Sequence, residues 1–119
     1  MQSGSFVILE HRTGQEVHWD LMLQWGDVLR TWSLSRPPEV GQTISARALP
    51  DHRIHFLDYE GPISQDRGHV TQWDRGTYKL LDESARALTA ELLGKQVAGR
   101  ITLCRKDEAG APWSFQFEG

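Results

Sequence analysis

The sequence predicts an all-β domain, mainly antiparallel, arranged as a closed or partly open β-barrel with one flanking α-helix. Short apolar runs alternate with polar residues along most of the chain. Period-two alternation is typical of strands with one buried face, and clusters of Gly, Pro, Asp and Ser separate the runs as turns do. Because these separators are short, strands that follow one another are expected to pair as antiparallel neighbours.

The predicted strands follow one another along the chain. In order, they are SFVILE, EVHWDLMLQ, DVLRTWSLS, QTISARAL, RIHFLDYEG, GHVTQWD, GTYKLL, VAGRITLCR and WSFQFEG. Residues 82–95 (DESARALTAELLGK) have helical spacing instead, with an apolar face, candidate N-caps and a terminal glycine. These are Ala85, Leu88 and Leu92 on the face, Asp82 or Ser84 at the start, and Gly94 at the end. We expect one helix there, packed against the sheet or closing one end of the barrel.

Length and composition limit the class of protein. The 119 residues, 13.6 kDa in mass, predict one domain spanning residues 1–119. A net charge of −3 argues against non-specific coating of nucleic acid, which needs many cationic contacts with phosphate. No apolar run is long enough to span a membrane, and the single cysteine fits a reducing compartment, so a cytoplasmic location is expected.

A candidate metal site lies in the stretch EHRTGQEVHWDLMLQ, residues 10–24. In a strand, His18 and Asp20 point to the same face, and the apolar residues Val17, Trp19 and Leu21 point to the other. An H-x-D pair can offer one nitrogen and one oxygen to a metal ion. The same pair arises by chance in many chains, and a lone strand histidine is most often a solvated surface residue.

A third ligand depends on the hairpin that precedes this strand. If RTGQ forms a four-residue loop, His11 lies opposite Glu16, on the same face as His18 and diagonal to it. A three-residue loop would shift the register by one and send His11 to the opposite face. The metal-site hypothesis therefore depends on the length of this loop.

Several separated motifs together resemble the 3′-phosphoesterase domain of bacterial DNA ligase D. They are FVILEH, VHWDLML, GDVLRTWSLSRPP, LPDHRIHFLDYEG, VTQWDRGTY, GRITLCR and WSFQF, from about residue 5 to residue 117. The resemblance implies a compact barrel-like fold and a manganese-dependent phosphoesterase. Such an enzyme would remove a 3′-phosphate or a terminal ribonucleotide from nucleic-acid 3′ ends during DNA repair.

The resemblance also implies roles for particular residues. His11, His18 and Asp20 match the family's metal ligands, in agreement with the reading from strand faces. His52 matches a phosphate-contacting histidine, a candidate general acid or transition-state stabiliser. Arg36 stands where the family has a phosphate-contacting lysine, and it keeps the charge while changing the donor geometry. The N and O ligands suit Mn²⁺, and Zn²⁺, Co²⁺ or Fe²⁺ would also fit them.

Two departures from the family pattern concern the phosphate site. Met22 replaces an arginine on the ligand face, and Phe56 replaces a tyrosine hydroxyl. The loss of one preorganised donor can cost about 10²–10³ in rate. Arg53, His55 and Arg67 are candidate replacement donors.

Three alternatives remain open from the sequence. A catalytically degenerate module would bind metal and phosphate and recognise a nucleic-acid end or a repair partner. A non-haem iron oxygenase would use His18, Asp20 and a second histidine far downstream, at His52, His55 or His69. A purely structural role would leave the convergent polar face unexplained.

A free-standing phosphoesterase would act with repair ligase or polymerase partners.

Overall fold

The computed structural model describes residues 2–105 and 112–119. Within these residues the secondary structure is nine β-strands and one short 3₁₀ turn. The strands are β1 Ser3–Thr13, β2 Glu16–Trp25, β3 Val28–Leu34, β4 Thr43–Arg53, β5 Gly61–Pro62, β6 His69–Glu83, β7 Ala87–Gly94, β8 Ala98–Arg105 and β9 Trp113–Phe117; the 3₁₀ turn is Ile54–Leu57. The all-β prediction is confirmed.

The strands form one antiparallel sheet that returns on itself. Their order is β1-β2-β3-β4-β9-β8-β7-β6-β5, and an additional pairing joins β1 to β6. This pairing closes a ring of hydrogen-bonded strands, and the two-residue strand β5 lies outside the ring, on the edge of β6. The architecture is therefore barrel-like, as the alternating sequence predicts.

The helix predicted over residues 82–95 is wrong, because this segment contains strand β7. Leu88, Ala90 and Leu92 are buried, while Glu91 and Leu93, on either side of Leu92, are exposed, so the alternation has period two. The apolar spacing fits a helix and a strand equally well. Here β7 pairs with both β6 and β8, and these pairings outweigh the local helical preference.

Two apolar clusters lie on opposite faces of the sheet. The inner core fills the ring with buried side chains from all eight ring strands, among them Phe6, Leu21, Trp32, Leu92 and Phe115. The outer cluster lies on the opposite face of β1, β2, β3 and the start of β6. Its buried members are Val7, Leu9, Met22, Leu29 and Val70, and Ile54, Phe56, Leu57, Tyr59 and Ile63 cover them.

The segment between β4 and β6 therefore turns the outer face of the sheet into a second buried region. Two contacts of its carboxylates hold it in place: Asp58 pairs with Arg75 at 3.1 Å, and Glu60 accepts a hydrogen bond from the backbone amide of Gln72 at 2.6 Å. No helix among the described residues is long and apolar enough to cross a membrane.

Candidate metal centre

The β1–β2 hairpin places both histidines of the opening stretch side by side. Thr13 pairs with Glu16, so the turn between them contains only Gly14 and Gln15. Gly14 has a φ of 60°, a left-handed conformation that glycine adopts without strain. His11 then lies directly opposite His18.

The observed register of the hairpin differs from the expected one, but it also places His11 on the same face as His18. The four-residue loop and the pairing of His11 with Glu16 are wrong, because the loop has two residues. The difference of two residues preserves the parity of the register, so His11 still shares a face with His18. The imidazole ring centroids of the two histidines are 4.5 Å apart.

Asp20 joins the two histidines through both of its carboxylate oxygens. Oδ1 lies 2.7 Å from Nδ1 of His18, and Oδ2 lies 3.2 Å from Nδ1 of His11. The carboxylate is 3% exposed, whereas both histidines are half-buried. One potential ligand atom from each residue lies within 4.8 Å of the others, which is close enough for one ion to reach all three.

A loop on the far side of the hairpin contacts His11 as well. The Nε2 atom of His11 lies 2.7 Å from the carbonyl oxygen of Arg67. A carbonyl oxygen and a carboxylate are both acceptors, so the His11 ring donates from both nitrogens and carries a positive charge in this arrangement. A metal ion would have to replace one of these two protons, and therefore one of these two hydrogen bonds, to be bound by His11.

The hydrogen bonds between Asp20 and the histidines shift the pKa values of Asp20 and His11 in opposite directions. Burial raises the pKa of Asp20, but the hydrogen bonds from His11 and His18 outweigh burial, and the net shift is downward. The pKa of His11 is raised, because its hydrogen bond to Asp20 favours the protonated ring more than partial burial disfavours it. Both shifts favour an ionised carboxylate beside a protonated imidazole in the metal-free site.

A cavity of about 770 Å³ opens next to these ligands. Its wall includes His11 and Asp20, the end of β4, the 3₁₀ turn and the loop before β6. His52 lies in this wall, and its Nδ1 donates to the carbonyl oxygen of Pro50 at 2.9 Å. The bond fixes Nδ1 as the donor and leaves Nε2 as the nitrogen that can exchange a proton.

Most of the residues predicted for the site line this cavity. His11, Asp20 and His52 are among them, together with the candidate donors, namely Arg53, His55 and Arg67. The Arg67 guanidinium already donates to the carbonyl oxygen and hydroxyl of Ser64, at 3.0 and 3.2 Å. Arg36 is exposed and lies outside the lining of the cavity.

The histidines required by the oxygenase alternative do not join the triad. Within residues 2–105 and 112–119, the group that could hold a metal ion consists of His11, His18 and Asp20. His52 and His55 lie elsewhere in the cavity wall, and their rings contact Phe56. The geometry thus favours an upstream rather than a downstream second histidine.

The sequence of the chain matches a known family over most of its length. Residues 9–105 of the 119 match the family model described as the DNA ligase D 3′-phosphoesterase domain. The chain belongs to the DNA ligase D 3′-phosphoesterase family. A comparison with curated proteins finds no match.

Within this family fold, the structure explains what occupies the two departing positions. Met22 is 1% exposed and lies in the outer cluster, where it packs among aliphatic residues. The Phe56 ring lies 5.6 Å from the His52 ring and 4.2 Å from the His55 ring. Apolar and aromatic contacts thus occupy the two positions of the cavity wall where the resemblance implies polar side chains.

Strand alternation predicted the triad but did not reveal what surrounds it. The contact between Arg67 and His11 joins residues 56 positions apart, and no local pattern predicts such a contact. One signal for the outer cluster was present in the sequence. The segment that follows β4, the strand that carries His52, contains five apolar or aromatic residues, at positions 54, 56, 57, 59 and 63.

Proposed function

We propose that this chain is a metal-dependent phosphoesterase that acts on the 3′ ends of DNA and of RNA-containing primers in DNA repair. It would remove a 3′-phosphate or a terminal ribonucleotide. The observation that carries the proposal is the convergence of His11, His18 and Asp20 beside a cavity that also contains His52, in a chain of the 3′-phosphoesterase family.

The donor set fits a first-row divalent cation. Two imidazole nitrogens and one carboxylate oxygen suit Mn²⁺, the metal that the resemblance implies, and they also suit Zn²⁺, Co²⁺ or Fe²⁺. His11, His18 and Asp20 would hold the ion. When bound, such an ion supplies Lewis-acid stabilisation of a phosphoryl oxygen and lowers the pKa of water.

The chain's own residues would orient the ligands and the scissile group. Asp20, buried and hydrogen-bonded to both imidazoles, fixes the orientation of the two rings before an ion arrives, which lowers the reorganisation needed on binding. The Arg67 carbonyl oxygen orients His11 from the other side of its ring.

His52 is the candidate proton donor of the cavity. Because Nδ1 donates to Pro50, any proton transfer takes place at Nε2. A protonated Nε2 would donate to a phosphate oxygen or to the leaving oxygen of the nucleic-acid end. The T-shaped contact with the Phe56 ring limits the orientations available to the imidazole.

Cationic side chains near the cavity would offset the charge of phosphate. Arg53 and Arg67 are exposed residues of its wall and carry this charge, and the exposed His55 ring is a further hydrogen-bonding group there. Arg36, the phosphate contact that the resemblance implies, lies farther out and stays a prediction. Its exposed position fits a contact with the nucleic-acid strand rather than with the reacting group.

A second function has specific observations in its favour. The family's arginine is replaced by a buried methionine and its tyrosine by Phe56, so two donors that would stabilise a transition state are missing. A chain that keeps the metal ligands without these donors would serve as a binding module that recognises nucleic-acid ends or a repair partner. In either role, a repair ligase or polymerase would act on the same end.

A Mn²⁺-dependent assay separates these two functions. The substrate is a primer-template with a 3′-phosphate or one 3′-ribonucleotide, and the proteins are wild type, His18→Ala and the control His69→Ala. His69 is an exposed strand histidine outside the triad and outside the lining of the cavity. Metal content is measured for all three.

Each outcome assigns the site differently. Product that requires Mn²⁺ and His18, but not His69, would establish the phosphoesterase. Mn²⁺ bound through His18 without product would leave the binding module. Product that persists in His18→Ala at the wild-type rate would contradict the assignment of the triad as the site of either function.

A further inference from the structure

A groove of about 530 Å³ begins on the other side of the triad from the cavity. His11 and Asp20 line the cavity, whereas His18 lines this groove together with the start of β2, the end of β3 and the start of β4. Its polar lining consists of Glu16, His18, Ser33, Ser35, Ser45 and Arg47. We call it the serine groove.

The sheet register positions the lining relative to Asp20. Asp20 pairs with Ser33 across β2 and β3, and Ser33 pairs with Arg47 across β3 and β4. Directly opposed residues point to the same face of a sheet, so all three lie on the outer face. Two strand spacings of about 4.8 Å place the Arg47 backbone about 10 Å from that of Asp20.

A second polar pair lies one step along the same strands. The backbone amide of Ser35 donates to the carbonyl oxygen of Ser45 at 3.0 Å, which continues the β3–β4 register beyond Ser33 and Arg47. Serine residues from the end of β3 and from the start of β4 therefore line the groove, and Ser33 lies between Asp20 and Arg47 in the sheet. Among the residues described, no aromatic side chain other than the His18 ring lines it.

The arginine and serine side chains of this groove have no partner among the residues that the structure describes. Arg47 is exposed and makes no ion pair or side-chain hydrogen bond within the part of the chain that the structure describes. The hydroxyls of Ser33, Ser35 and Ser45 likewise make no hydrogen bond within residues 2–105 and 112–119. Glu16 carries the one carboxylate among the described residues of the lining.

We propose that the serine groove is a phosphodiester subsite for the strand that leads to the 3′ end. The proposal rests on the proposed function, because that function places the end itself at the triad. Arg47 offers a planar, permanently charged donor that matches phosphate oxygens, and the serine hydroxyls add neutral donors. Contacts of this kind position the backbone and read no base, so recognition here would be independent of sequence.

The subsite predicts that the enzyme distinguishes strands from single nucleotides. An oligonucleotide would extend from the triad into the groove, whereas a nucleoside 3′-monophosphate would end at the triad. Loss of Arg47 would therefore weaken the binding of the oligonucleotide only. Because Arg47 does not touch the reacting group, the change would appear in KM and not in kcat.

Binding provides a test that does not need turnover. Fluorescence anisotropy of a 5′-labelled oligonucleotide with a 3′-phosphate is measured over a series of salt concentrations, with wild type, Arg47→Ala and the control Arg100→Ala. Arg100 is also an exposed strand arginine, and its neighbour Ile101 points into the inner core, so Arg100 lies on the outer face of β8, far from the triad in strand order. Thermal unfolding confirms that each variant is folded.

The expected result is about tenfold weaker binding for Arg47→Ala, and a slope of log K against log salt smaller by about 1. Arg100→Ala should match wild type. Equal affinities for Arg47→Ala and Arg100→Ala would overturn the subsite. If wild type shows no turnover, the binding comparison still decides between these results, so failure of the proposed function and failure of the subsite are distinguishable.

In an active preparation, kinetics give a second readout. With the oligonucleotide, Arg47→Ala should raise KM about tenfold at unchanged kcat, and Arg47→Lys should restore part of the loss because it keeps the charge. With the nucleoside 3′-monophosphate, Arg47→Ala should behave as wild type. An equal loss on both substrates would assign Arg47 to the reacting phosphate and overturn the subsite.

Discussion

Two buried carboxylates show how differently this fold uses the same chemical group. Asp74 is 4% exposed and accepts hydrogen bonds from the backbone amides of Arg75, Lys95, Gln96 and Val97, at 2.8 to 3.1 Å. Asp20 is 3% exposed, and within residues 2–105 and 112–119 its carboxylate accepts hydrogen bonds from two imidazole side chains and from no backbone amide.

The difference lies in what the partners can do. Peptide amides cannot give up their protons, so Asp74 is fixed as the anchor of the turn between β7 and β8. Imidazoles exchange a proton for a metal ion near neutral pH, so the partners of Asp20 can change roles. Asp74 therefore anchors the fold, whereas Asp20 is the carboxylate of the proposed metal site.

The largest expected effect is on activity, from Asp20→Asn. Replacing one carboxylate oxygen with an amide weakens both the metal set and the orientation of the histidines, and we expect kcat/KM to fall by at least about 10²-fold. Steady-state kinetics with a 3′-phosphorylated primer would measure it. Asp74→Asn is the matched control, and an equal loss of activity per folded molecule in that variant would break the comparison.

The converse effect is on stability, from Asp74→Asn. An amide group in that position would direct N–H donors at backbone N–H groups, so we expect the free energy of unfolding to fall by about 3 kcal/mol. Urea unfolding would measure it. Asp20→Asn in the metal-free protein should cost less, and a larger loss there would show that Asp20 is structural too.

Gly94 provides a related test of the anchor. A Cβ atom at this position would meet the Asp74 carboxylate and the Phe6 ring. Gly94→Ala should therefore destabilise the protein by about 1–3 kcal/mol, as overpacking of a filled site does. Unfolding by urea would again be the measurement, and metal affinity should not change. An unchanged free energy of unfolding would mean that the turn between β7 and β8 can shift to accommodate the added methyl group despite its hydrogen bonds to Asp74.

The pH dependence of the metal-free protein follows from the two shifted groups. The raised pKa of His11 gives stability that is fully present below its ordinary value of about 6.5 and is lost as pH rises through the folded-state pKa. The lowered pKa of Asp20 gives stability that is present above its ordinary value and is lost as pH falls through the folded-state pKa. The stability that this pair contributes should therefore be greatest between the ordinary pKa of Asp20 and the ordinary pKa of His11. Asp20→Asn should remove this maximum.

Metal affinity should rise with pH over the range in which the contribution of His11 to the stability of the metal-free protein is lost. A proton on His11 competes with the ion, so Mn²⁺ affinity should rise about tenfold per pH unit below the raised pKa and level off above it. Calorimetric titration over this range would measure it. A flat profile would show that His11 is not a ligand.

The smallest expected effect comes from Phe56→Tyr. A hydroxyl at this position of the cavity wall restores the donor of the family pattern, and we expect a rate gain of about tenfold with little change in stability. The rate is measured on the 3′-phosphorylated primer, with Trp25→Phe as a control for an aromatic substitution outside the cavity. An unchanged rate would indicate that the hydroxyl does not reach the phosphate.

The sequence predicted the parts of this structure that depend on local alternation. The faces of β2 follow from period two, so His18 and Asp20 were placed together correctly. The hairpin register was wrong because GQ, RTGQ and other loop lengths are all compatible with the turn residues, and His11 stayed on the right face through parity. The segment containing β7 was read as a helix because Leu88 and Leu92 satisfy both periodicities.

Contacts between residues far apart in the chain could not be predicted from local alternation. The burial of Met22 depends on a segment more than thirty residues away in the chain that folds back over the sheet. Asp74 lies in the motif VTQWDRGTY and accepts hydrogen bonds from the backbone amides of residues 95–97, and nothing around Asp74 in the sequence indicates these contacts. Charge and spacing alone could not separate the carboxylate that anchors a turn, Asp74, from the one proposed to bind a metal ion, Asp20.

The most direct test of the metal centre is a Mn²⁺ titration of wild type, His18→Ala and Asp74→Asn, followed by electron paramagnetic resonance of the free ion. We expect one bound Mn²⁺ per chain in wild type and in folded Asp74→Asn, and at least about tenfold weaker binding in His18→Ala. Wild-type affinity in His18→Ala would contradict the assignment of His11, His18 and Asp20 as the metal ligands.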